Sequence, residues 1–305
     1  MACFDGLWVP LVTPFHRGEV DHPALYRLVR HLAGQGVAGF VACGSTGEAA
    51  MLDDAEQAAV LATTLAAAGS RPVLMGLAGM RPARVAQRAR QLADQHPPAG
   101  WLLTAPAYVK PSQAGIVDFF HTVAEATPLP IVAYDIPART GVRFEPATLR
   151  ALADHPRIRA LKDCSGDRAS ADAVLADGRL ALLCGNDDEL FDQLARGAVG
   201  GFVASAHLAT AAFVALHRAL AAGELPAARA LWRRLAPLTA AAFAEPNPAP
   251  IKAALARQGW LQDELRAPGW PASAATAAGL LAAVAAVQAD TTVQAEAAAE
   301  AAAAG

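Results

Sequence analysis

Hydrophobic residues in this chain gather into eight short runs: Leu7–Val12, Ala38–Ala42, Pro72–Leu77, Gly100–Thr104, Pro130–Tyr134, Ile158–Lys162, Leu180–Cys184 and Gly201–Ala204. Each is too short for a helix and almost uninterrupted in apolarity. Alternation would mark a strand wet on one face; continuous apolarity marks a parallel strand covered on both. The runs end in Gly, Pro or small polar residues, and an Ala/Leu-rich stretch follows each one. Helix signals fall in those stretches. Asp53 and Glu56 form a capping box, and Pro82 suits a first helical turn. Ser112 before Gln113–Ala126 and Asn186 before Asp187–Ala195 are candidate caps. Eight strand–helix units in series predict a (β/α)8 TIM barrel; a doubly wound open sheet is the alternative.

More helix is predicted after the eighth unit than a barrel needs: Thr210–Ala222 is followed by Leu225–Phe243, Ile251–Gln258 and Ala272–Val287. The expected organisation is therefore a barrel over residues 1–223, a C-terminal helical appendage over 224–287 and an Ala-rich tail over 288–305. The tail has no apolar pattern and is expected to be frayed or disordered.

With 305 residues, 25 Lys plus Arg against 28 Asp plus Glu, and a net charge of −3, the chain has no basic footprint for nucleic acid. Mean hydropathy of +0.27 comes largely from alanine. The most apolar stretch, Ala274–Val287, is shorter than the roughly 20 residues of a membrane span. The N-terminus lacks a signal-peptide pattern. A cytoplasmic protein with no membrane partner is expected. Cys3, Cys43, Cys164 and Cys184 form no CxxC, and no His cluster has ligand spacing, so inert thiols and no metal are expected. Lysine is rare: Lys110, Lys162 and Lys252 stand in a chain that otherwise uses arginine. The two cations are not interchangeable, so each lysine invites a question.

Chemistry in such barrels sits at the C-terminal ends of the strands. The sixth run closes on Lys162. Ile158, Ala160 and Lys162 share parity and thus one face. If that face is the barrel interior, desolvation favours the free amine, the species that attacks a ketone to form an imine. The plainer alternative is a strand-end lysine that reaches solvent. The second run leads into Gly44-Ser45-Thr46-Gly47, where hydroxyls and backbone N–H groups suit a carboxylate; helix capping is the alternative. Tyr134 ends the fifth run with a phenol suited to proton transfer, or is a core tyrosine. Arg139, in the Pro/Gly-bounded loop beyond, suits a bidentate carboxylate clamp, or is a solvated surface cation.

Together these residues resemble the pyruvate-dependent class I aldolases and lyases typified by dihydrodipicolinate synthase and N-acetylneuraminate lyase. The likeness runs from Gly6-Leu7-Trp8-Val9-Pro10 to about Pro271. Arg139-Thr140-Gly141, Glu245-Pro246-Asn247-Pro248 with Ile251-Lys252, and Leu265-Arg266-Ala267-Pro268 are most similar to the synthases. The resemblance implies a homodimeric or homotetrameric lyase needing no cofactor. It would condense pyruvate with L-aspartate 4-semialdehyde, giving 4-hydroxy-tetrahydrodipicolinate on the way to diaminopimelate and lysine.

By the same resemblance, Lys162 is the Schiff-base lysine and Tyr134 the general acid/base. Ser45 stands where the synthases usually carry a threonine of the proton relay. Tyr108 matches the relay tyrosine lent by a second subunit. Thr46 matches the ligand of the pyruvate carboxylate, Arg139 receives the small aldehyde substrate, and Gly185 and Phe202 contact the site near the imine. Asp135 replaces the commoner asparagine. Met80, Arg84 and Ala107 replace ligands of the lysine-inhibited members, which speaks against lysine feedback. A sugar-acid aldolase or sialic-acid lyase is the nearest alternative, and a non-catalytic pyruvate or amino-acid sensor is a second one.

Overall fold

The computed structural model describes residues 4–303, with side chains to residue 289. Eight parallel strands close into a barrel: β1 (Gly6–Pro10), β2 (Gly39–Ala42), β3 (Val73–Leu77), β4 (Gly100–Thr104), β5 (Ile131–Asp135), β6 (Ile158–Asp163), β7 (Ala181–Cys184) and β8 (Gly200–Phe202). Each pairs with its neighbours in sequence, and β1 pairs with both β2 and β8. Closure leaves no sheet edge to protect.

Both faces of every strand are buried, which is why the runs read as continuous. Trp8, Val41, Leu74, Leu102, Val132, Ala160, Leu183 and Phe202 fill the lumen. Their sequence neighbours, such as Val9, Phe40, Met75, Leu103, Ala133 and Leu161, pack outward under the helices. Trp8 plugs the lumen between Phe4 and Phe202, with ring centroids at 6.2 and 6.0 Å. Ala160 and Lys162 face inward together, but Ile158 joins the outer layer. A register shift between β5 and β6 at Ile131/Val132 interrupts the alternation that parity assumes.

The helices form as their ends dictate. The Asp53–Glu56 capping box is complete, with bonds of 2.8 and 2.9 Å, and starts Asp54–Ala68. Pro82 opens Pro82–Gln95, and Ser112 accepts from Gly115 N at 3.3 Å ahead of Gln113–Glu125. Asn186 makes no cap bond from its side chain. The segment it was expected to start is a 3-10 turn, Asp187–Glu189, running into Leu190–Ala195. The Ala206–Ala221 helix begins earlier than Thr210, with a kink at Ala209. Arg139 lies on a single helical turn, Pro137–Thr140, rather than in a loop. A two-stranded hairpin, Phe15–His16 with Glu19–Val20, follows β1; its strands are too short to leave a pattern in the sequence.

Beyond the barrel come Leu225–Ala242, Ala249–Arg257 and Ala274–Ala303. The last helix continues past residue 287, where the sequence suggests a frayed tail. Its Ala- and Glu-rich composition carries helix propensity without an apolar stripe. Ala304 and Gly305 lie outside the described residues. No helix among the described residues is long and apolar enough to cross a membrane.

Candidate active site

At the C-terminal end of the barrel lies a cavity of about 430 Å³. Register builds its floor. Tyr134 on β5 pairs with Lys162 on β6, so the two side chains stand abreast inside the barrel. The Lys162 Nζ sits 4.1 Å from the centroid of the Tyr134 ring and 5.3 Å from that of Phe202. Lys162 is 6% exposed. Burial pushes its pKa down from the usual lysine value, while Cys164 and Asp187 pull it back up. The lowered value enlarges the fraction of free amine at neutral pH.

The lysine needs space, and Gly185 provides it. A Cβ there would meet Cys164 Sγ at 2.4 Å, Asp163 O at 2.8 Å and Lys162 Cε at 3.0 Å. Burial drives the Tyr134 hydroxyl well above the usual phenol pKa, and the nearby Cys164 thiol adds to this. Cys164 Sγ stands 3.9 Å from the phenolic oxygen, and Ser45 bonds the same hydroxyl and works in the opposite sense. A phenol held neutral beside an amine can give a proton and take one back.

Thr46 is presented by the loop between β2 and Asp54–Ala68. Cys43 (φ 52°) and Glu48 (φ 55°) adopt left-handed backbone at its two ends, a conformation that costs a non-glycine residue roughly 1–2 kcal/mol. The loop fits because β3 carries Gly76 beside it, where a Cβ would lie 2.1 Å from Cys43 O. Thr13 Oγ1 donates to Gly47 O at 2.7 Å, and Asn247 Nδ2 donates to Thr46 Oγ1 at 2.9 Å. Since Thr46 Oγ1 accepts from Asn247, its own proton is available to an anion in the cavity.

Arg139 stands exposed at the mouth, on a turn held by Thr140, whose one Oγ1 proton has Val142 O at 2.8 Å and Ile136 O at 3.1 Å as acceptors. Phe243, Ala244, Glu245, Pro246 and Asn247 complete the wall. Asp187 also lines it. Burial lifts its carboxyl to about 6, against hydrogen bonds from Ser205 and Ala204.

Ser45, Thr46, Tyr134, Arg139, Lys162, Gly185 and Phe202 thus line one cavity. Tyr108 does not. It lies 89% exposed in the loop after β4, with φ 68°. Sequence reasoning missed the Cys164, Asn186, Asp187 and Asn247 side chains as cavity lining. Cys164 had one available signal, its place two residues beyond Lys162 at a strand end. It lines the cavity rather than lying in the core, and burial pushes its pKa up to about 12, which keeps it a neutral thiol.

The dihydrodipicolinate synthetase family matches over residues 3–287. The chain belongs to that family. Among its relatives, the 4-hydroxy-tetrahydrodipicolinate synthase of Syntrophus aciditrophicus is 37% identical over 87% of this chain and 92% of that one. That of an Exiguobacterium species is 36% identical over 92% and 97%. The solved dihydrodipicolinate synthase of Thermotoga maritima superposes with a TM-score of 0.90 at 32% identity, covering 93% of this chain and 99% of its own. The chloride-inhibited synthase of Acinetobacter baumannii, solved with pyruvate, gives 0.90 at 29% identity over 94% and 99%. Family membership, the barrel and a buried lysine at its rim agree with one another.

Proposed function

We propose that this chain condenses pyruvate with L-aspartate 4-semialdehyde to 4-hydroxy-tetrahydrodipicolinate through an imine on Lys162. The observation that carries the reading is the desolvated Lys162 amine standing abreast of the neutral Tyr134 phenol in a cavity that also holds Thr46 and Arg139. The free amine attacks the ketone carbon of pyruvate, and Tyr134 passes protons to and from the carbinolamine oxygen, which leaves as water. The iminium draws electrons from the methyl group. Loss of a methyl proton gives an enamine, whose carbon bonds to the aldehyde carbon while the aldehyde oxygen takes a proton. The amine of the acceptor then attacks the imine carbon, closes the ring and frees Lys162.

In this reading Thr46 holds the pyruvate carboxylate and Arg139 that of the semialdehyde. Ser45 links Tyr134 to a relay that Tyr108 of a second copy completes. The working unit is then a cytoplasmic homodimer or homotetramer. The test is incubation with pyruvate and borohydride, followed by peptide mass mapping. A reduced adduct on Lys162, lost in Lys162→Ala, is expected, and a coupled assay should prefer aspartate semialdehyde to sugar-acid aldehydes. An adduct on another residue, or turnover that survives Lys162→Ala, contradicts the proposal.

A further inference from the structure

Lys252 is fully buried, though it takes no part in the chemistry above. It lies on Ala249–Arg257, in the helices after the barrel. Its Nζ pairs with the buried Glu48 carboxylate, donates to Glu264 O at 2.7 Å and rests 4.2 Å from the centroid of the Phe15 ring. The other Glu48 oxygen accepts from Arg266 N at 3.1 Å. Glu48 is the left-handed residue that ends the Thr46 loop, only two positions from the hydroxyl that faces the cavity. Asn247, five residues before Lys252, grips Thr46 itself at 2.9 Å. One short stretch of chain outside the barrel therefore holds the loop at both its ligand-facing side chain and its strained end.

We propose that Lys252 is a positioning residue: through Glu48 it fixes the backbone of the Thr46–Glu48 loop so that the Thr46 hydroxyl meets the carboxylate of the keto acid. The inference rests on the pyruvate reading of the cavity. A buried ion pair is weak grounds for stability, since apolar replacements of both partners often do as well. A pair that retains a strained residue beside a ligand site has a different use. Left-handed non-glycine backbone persists only where surrounding contacts over-determine it. Glu48 has two such contacts, from Lys252 and from the backbone of Arg266. Without them the loop relaxes and the Thr46 hydroxyl moves away from its place. Misplacement by about 1 Å is enough to cost large factors in binding and rate.

The experiment measures cyanoborohydride trapping of Lys162 as a function of ketone concentration, with pyruvate and with hydroxyacetone, which lacks the carboxylate. Lys252→Met leaves Glu48 buried without its cation and is prone to misfold. The double variant Lys252→Met/Glu48→Gln removes both charges, and circular dichroism establishes which variants are folded. In the folded variant the pyruvate concentration for half-maximal trapping should rise about tenfold or more. The hydroxyacetone response and the trapping at saturating pyruvate should stay near wild type. An unchanged pyruvate response, or an equal loss for both ketones, overturns the positioning role. Wild-type protein that traps neither ketone at Lys162 would instead remove the reading of the cavity, a different signature. Should the double variant also fail to fold, Glu48→Gln alone decides by the same two comparisons.

Discussion

Two neighbouring carboxyls show how position sets chemistry behind the site. Tyr134 and Lys162 point into the barrel; the next residues on the same strands, Asp135 and Asp163, are register partners and are both buried. Asp135 Oδ2 accepts from Phe144 N at 3.2 Å, whereas Oδ1 is buried with no hydrogen-bond partner. Burial raises its pKa to about 7; the Phe144 N–H opposes this, and the charge of Asp163 adds to it. Arg143 lowers it and Asp167 raises it further. The fold therefore prefers the neutral acid. A raised carboxyl contributes its stability below the ordinary aspartate range and loses it as pH rises through about 7. Asp135→Asn, which supplies a permanently neutral group of the same shape, should match wild type in thermal unfolding only near pH 3, below the ordinary aspartate pKa, and should gain on it between about pH 4 and 7. Near pH 8 it should be more stable by something on the order of 1–3 kcal/mol. A difference that does not change between the lowest and the highest of those pH values, or a loss at both, would show that ionisation of Asp135 is not what matters there.

The strand ends illustrate what the sequence reveals and what it hides. Continuous apolar runs specify strands buried on both faces, and the strand-end rule then picks Lys162 and Tyr134 without any contact being known, whereas Gly185 enters only through the family resemblance. What one chain cannot disclose is distance. Asn247 reaches Thr46 across 201 positions, and Lys252 reaches Glu48 across 204. No local pattern encodes either. The shift at Ile131/Val132 is likewise a property of pairing, so parity misplaced Ile158 while still placing Lys162 correctly. Asn186 looked like a helix cap because its residue type suits one; the 3-10 turn at Asp187–Glu189 takes its place. Gly185→Ala puts a methyl within 3.0 Å of Lys162 Cε and nearer still to Cys164 Sγ. Because the Asp163 backbone cannot yield easily, the lysine must move. Turnover should fall about 10²-fold with the circular dichroism spectrum unchanged, and normal turnover would show that the strand end flexes enough to absorb the methyl.

The single barrel holds an amine, an acid/base and two candidate carboxylate holders, yet Tyr108 turns its phenol outward. It is 89% exposed, beside Val109 at 52%, in a loop that also carries left-handed backbone at Lys110. So large an exposed aromatic beside an apolar neighbour suits burial against a second copy. In a two-fold arrangement each copy would lend Tyr108 to the other and receive one in return. That reciprocity can be tested by mixing two inactive variants. Tyr108→Phe keeps Lys162 but lends no hydroxyl, while Lys162→Ala lends a hydroxyl but forms no imine. If the phenol crosses between copies, a mixed pair contains one intact site, made of Lys162 from the first variant and Tyr108 from the second. Random pairing of equal amounts would restore about a quarter of wild-type sites. A Tyr108 that serves its own chain predicts no intact site in any pair, and the mixture would then show only half the residual rate of Tyr108→Phe. Native mass spectrometry should first establish that subunits have exchanged, so that absence of recovery counts directly against a shared site.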